Sequence, residues 1–115
     1  MFGPETSREH LEQALSLPPW DSQDWGICQA DEERLPDFVA FFHQHYSGAW
    51  PRWIVEEYID LVLESACDAR RSDSAYDLGV LDGLLAIVAS RAPDRIRYWT
   101  SADWEVAPYL RAKAL

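Results

Sequence analysis

The sequence predicts an all-α protein: a single compact domain over residues 1–115, with five or six helices around a central antiparallel hairpin of residues 51–70 and 74–91. Three observations predict it. Apolar residues recur at spacings of three and four through most of the chain, the period of a helix with one buried face. No run alternates β-branched and polar residues as a half-buried strand does. Proline and glycine stand where helices begin and end, and no repeat, low-complexity tract or linker divides the 115 residues.

Taken in order, Thr6-x-x-Glu9 has the form of a capping box, which satisfies orphan N–H groups at a helix start. A helix from about Ser7 to Leu15 then places Leu11, Ala14 and Leu15 on one face, and Pro18-Pro19 stops it. Residues 18–30 show no period and read as a loop. Pro36 suits the first turn of a second helix, whose Phe38, Phe41, Phe42 and Tyr46 form a stripe, with Gly48 as its stop. Pro51 opens a third helix with Ile54, Tyr58, Leu61, Val62, Ser65 and Ala66 inward and Arg70 and Arg71 at its negative end. After a Ser72-Asp73-Ser74 turn, a fourth helix carries Leu78, Leu81, Leu84, Leu85 and Val88. Gly79 and Gly83 share a face there, and Gly costs about 1 kcal/mol in a helix interior, so their pairing predicts the close approach of another backbone. Pro93 ends that helix or starts a short one through Trp99, and Ser101 caps a last segment interrupted near Pro108.

Hydrophobic residues are 48% of the chain and include six Trp, five Tyr and four Phe, enough for a real core. Twenty acids against ten Lys and Arg give a net charge of -10. That excess disfavours a phosphate backbone or an anionic membrane as partner and favours a basic protein. No apolar stretch reaches the roughly 20 residues of a membrane span. Met1 to His10 is charged and lacks the apolar run of a signal peptide, so a cytoplasmic protein with Cys28 and Cys67 as reduced thiols is expected.

Motifs of catalysis are missing. There is no glycine-rich phosphate loop, Cys-x-x-Cys or His-Glu-x-x-His, so no cofactor, metal site or enzymatic role is expected. On a helix His43 and His45 point about 200° apart, a poor metal clamp. Cys67 lies in an apolar stretch and reads as a buried structural thiol.

Charge is unevenly spread. Residues 1–69 hold 14 acids against three bases, a net of -11, and residues 70–115 hold six acids against seven bases, a net of +1. On the third helix Glu56, Asp60, Glu64 and Asp68 are spaced four apart with Glu57 beside them, and only Arg52 precedes them within a turn. Like charges at this spacing cost about 0.2–0.5 kcal/mol each, a repulsion that a basic partner would relieve. Trp20, Asp21, Asp24 and Trp25 mix acids with the residue type typical of interface hot spots. These nine residues are the candidate partner-binding set, weighed against a plain solvated helix face and two rings folded onto the core.

The stretch Phe41-Phe42-His43-Gln44-His45-Tyr46, with Trp50 shortly after, resembles the small helical immunity proteins of bacterial contact-dependent growth inhibition systems. Members of that family often carry an aromatic-Phe-His-Gln-Asp-aromatic stretch followed by an acidic helix. Phe41, Phe42, His43, Gln44 and Tyr46 match, and the helix holding Glu56 to Asp68 supplies the acids; His45 departs where the family tends to have Asp. The resemblance implies a cytosolic protein that binds and neutralises the C-terminal domain of a cognate toxin, in many cases a nuclease with a basic surface. Two other readings remain: a nucleic-acid mimic that inhibits a basic complex, and a non-catalytic assembly or adaptor subunit.

Overall fold

The computed structural model describes residues 2–21 and 23–113. Every regular element among them is helical: α1 (Arg8–Leu15), α2 (Trp25–Gln29), α3 (Leu35–His45), α4 (Arg52–Ser72), α5 (Asp82–Arg91), α6 (Pro93–Thr100) and α7 (Ala107–Ala112), with 3-10 turns at Glu32–Arg34 and Leu78–Leu81. The all-α expectation is met, with seven α-helices among the described residues rather than five or six.

The centre is one helix. Helix α4, 21 residues long, is buried on most of its surface: Ile54, Tyr58, Leu61, Val62 and Ala66 are buried, and so are Val55, Ile59, Leu63, Cys67 and Ala69. A helix buried on most sides needs neighbours on most sides. The turn at 32–34 and helices α2, α3, α5 and α6 all pack on it. The expected hairpin of 51–70 with 74–91 is therefore not the centre; α2 makes the densest packing on α4. The second arm is also shorter than expected, because Asp77 caps a 3-10 turn at Gly79 N–H (2.8 Å) and α5 proper starts at Asp82.

Residues 25–29, expected as loop, form α2. Tertiary contacts hold it: the Trp25 indole donates to Glu12 Oε2 (2.8 Å), and the Gln29 amide donates to Pro18 O (2.5 Å). A Cβ on Gly26 would stand 2.6 Å from Glu57 O and 2.7 Å from Leu61 N, so here two backbones nearly touch. The close approach expected at Gly79 and Gly83 does not occur: their nearest neighbours are the Asp77 carboxylate and the His43 ring, both side chains.

Smaller corrections have local causes. Ser7, not Thr6, caps α1, accepting from His10 N–H (3.3 Å), while Thr6 Oγ1 accepts from Gly3 N–H (2.7 Å). Helix α3 ends at His45, where Tyr46 turns extended, before Gly48 is reached. Pro108 lies in the first turn of α7 and begins it rather than interrupting it. The stripe Phe38, Phe41 and Phe42 is buried, and Tyr46, Trp50 and Tyr58 stack or tilt around Phe42 at 4.6–5.9 Å between centroids. In the segment resembling the immunity family, Phe41 and Phe42 are thus core packing, while His43 and Gln44 are exposed.

Candidate functional site

Each acid of the α4 row has an arginine partner within the molecule. Glu56 pairs with Arg52 at 3.7 Å and Glu57 with Arg8. Asp60 is 8% exposed and accepts from Arg95 Nε (2.7 Å), Arg95 Nη2 (2.5 Å) and the Trp99 indole (2.9 Å). Arg71 gathers Glu64 (3.4 Å), Asp68 and Glu105 (2.9 Å), tying the end of α4 to the segment before α7. Burial, and then the neighbouring Asp68, push the Glu64 carboxyl up from its ordinary value, while the carboxylate of Asp60 raises the Arg95 guanidinium. The repulsion expected along this row is eased by Arg52 and Arg71 on α4 itself and by the distant Arg8 and Arg95.

The acids left without an ion pair among the described residues include Asp21, Asp24, Asp31, Glu32 and Glu33, all on the segment that carries α2 across α4. Asp21, Asp24 and Glu33 are exposed. Asp24 is the N-cap residue of α2 but its side chain makes no capping hydrogen bond, and its backbone is left-handed at φ 59°. Asp31 caps the following 3-10 turn, and Glu32 accepts from the Ser72 hydroxyl at 2.9 Å.

The two tryptophans of this segment have opposite fates. Trp25 is fully buried, bonded to Glu12, and so is removed from the candidate partner contacts. Trp20 is 42% exposed; its backbone N–H donates to the same Glu12 oxygen (2.9 Å) and its indole to Gln23 O (3.1 Å). Exposed Ile27 lies on α2 itself. Trp53, the most exposed of the large apolar residues at 50%, escaped the sequence reading. A signal was available: Trp53, Glu56, Glu57 and Asp60 fall at i, i+3, i+4 and i+7, so an aromatic heads the charged stripe.

Between α2 and the first turns of α4 lies a cleft of about 240 Å³ lined by Asp24, Trp53, Glu56, Glu57, Asp60 and Arg95. Tyr98, also exposed, stands beside it with Arg95 4.3 Å from its ring centroid. The structure therefore brings Asp24, Glu56, Glu57 and Asp60 together. Glu64 and Asp68 belong to the other end of α4, beside a groove lined by Asp31, Glu32, Asp68, Arg71 and Ser72.

No group of three potential metal ligands occurs among the described residues. The Cys67 thiol is buried and pushed up to about 11 by that burial, which keeps it protonated at neutral pH and a poor nucleophile. His45 packs against Phe41 and Phe2 at 4.6 and 5.0 Å. No helix among the described residues is long and apolar enough to cross a membrane. No family model, curated protein or solved structure matches the chain.

Proposed function

We propose that this chain is a protein-binding inhibitor of the toxin–immunity kind, which covers a basic surface on a cognate toxin domain in the cytosol. One observation carries the proposal. The segment from Trp20 to Glu33 holds five acids that no arginine or lysine among the described residues neutralises, and it exposes Trp20 and Ile27 beside them. Exposed aromatics with unpaired charge supply the two needs of a protein interface, an anchor that excludes water and a field that guides approach. A nuclease presents the complementary surface where it holds phosphate. The resemblance of residues 41–46 to immunity proteins points the same way, although Phe41 and Phe42 within it form core.

The test begins with a tagged chain used to capture its partner from the native host, followed by kinetics on the purified pair. Reversing Asp21 and Asp24 to Lys is expected to slow association about tenfold or more at low ionic strength, with the two rates converging as salt rises. The fold should survive, because both acids are exposed and unpaired. Equal association rates and equal salt dependence for wild type and variant would remove this segment from the interface. A captured partner with an acidic surface would overturn the proposal altogether.

A further inference from the structure

Around the first two turns of α4, where Trp53 is exposed and Glu56 and Glu57 are half-buried, the charges come in pairs with one exception. Glu57 has Arg8, Glu56 has Arg52 and Asp60 has Arg95; Asp24, which lines the same cleft, makes no ion pair among the described residues. Beside this single uncompensated carboxylate, Trp53 keeps half its surface in water, whereas Trp25, Trp50 and Trp99 are buried. The indole already stands near one guanidinium: Arg8 lies 6.0 Å from its ring centroid. The cleft, at about 240 Å³, is smaller than the roughly 300–1,000 Å³ of small-molecule sites and has the size of one side chain.

We propose that this face docks a protein segment through a single arginine side chain, its guanidinium held by Asp24 and lying against Trp53. The inference rests on reading the chain as a protein-binding inhibitor and names the chemistry its partner must bring. Charge complementarity selects a cation, since one negative charge is left over and a second anion would meet four carboxylates. Planarity selects arginine over lysine: a guanidinium stacks on an indole and meets a carboxylate with two parallel hydrogen bonds, while an ammonium does neither.

The test uses the whole chain and no partner. N-acetyl-arginine methylamide is titrated at constant ionic strength while the Trp53 indole N–H resonance is followed, with N-acetyl-lysine methylamide as comparison. The expected result is a saturable shift in the millimolar range for the arginine amide and weaker binding for the lysine amide. Asp24→Asn, a residue that also tolerates a left-handed backbone, is expected to weaken the arginine amide about tenfold or more. Trp53→Phe should weaken it as well, read from the Gly26 amide. Equal, unsaturated shifts with both amides, or unchanged binding to Asp24→Asn, would overturn the inference. If the amide fails while Asp21→Lys/Asp24→Lys still slows the natural partner, the inference falls and the inhibitor reading stands. If the amide binds while the partner ignores the double reversal, the cleft accepts arginine but not the partner's, and the docking inference falls together with this segment's part in the interface.

Discussion

Asp60 holds three hydrogen bonds from two different side chains of α6, so it acts as a bolt between α6 and the central helix. Removing one member of a buried pair leaves the other unmatched, at a cost of about 3–5 kcal/mol when both are fully buried. Arg95 retains some exposure, so Asp60→Ala is expected at the low end, about 3 kcal/mol, measured by urea unfolding. A loss under 1 kcal/mol would mean that water replaces the carboxylate. Glu64 offers a pH test. Its carboxyl is raised by burial first and Asp68 second, so the native state holds its proton more tightly than the unfolded chain does. Its favourable contribution is complete below the unfolded value of 4.5 and is lost as pH rises through the higher folded value. Glu64→Gln removes that titration, so its stability relative to wild type should improve from pH below 4.5 to neutrality. A difference that stays constant across this range would show that the carboxyl titrates alike in both states. Gly83 differs in kind: a Cβ there meets only the exposed His43 ring, which has room to swing away. Gly83→Ala is therefore expected to raise stability by up to about 1 kcal/mol through helix propensity, read as a higher denaturation midpoint.

Among the elements, α2 shows how far local pattern can be outvoted by packing. Its sequence, Trp-Gly-Ile-Cys-Gln, is too short for a helical period and puts glycine in an interior position. An isolated helix of this length is unstable in water. It forms because Gly26 lets its backbone lie on α4 while Trp25 reaches Glu12. Gly26→Ala should push the two helices apart and cost at least about 1–3 kcal/mol, again by urea unfolding. An unchanged midpoint would mean that α2 shifts freely. The elements that were legible are those with long stripes: α3 through Phe38, Phe41 and Phe42, and α4 through Ile54, Tyr58, Leu61 and Val62. The site was only half legible for a related reason. The row from Glu56 to Asp68 is visible in the string, but the pairing of Glu57 with Arg8 and of Asp60 with Arg95 depends on contacts 49 and 35 residues apart. The Trp20–Asp24 acids stand out in the sequence, whereas the burial of Trp25 depends on a carboxylate from another helix.

At the scale of the whole molecule, several arginines are engaged with backbone oxygens of the fold. Arg70 donates to Tyr76 O, Arg91 to Trp50 O and the Tyr46 hydroxyl, and Arg111 to Thr100 O and Ala102 O, each fastening a loop or helix end. With the cations committed to such ties, the negative excess is left at the surface. Because the surrounding helices share α4 as their support, unfolding should be a single transition. Loss of far-UV and near-UV circular dichroism with temperature should coincide, and separated curves would reveal a part that melts alone. The close seat of Gly26 has one further consequence, for descent. Asp21, Asp24 and Glu33 lie outside the packing and can drift with each new partner, whereas Gly26, Trp25 and Glu12 cannot change singly without unseating a helix. Lineages that have diverged to meet different opponents should therefore share this buried trio and the aromatic stripe while their acids scatter, so kinship will be written in the residues that never touch the partner.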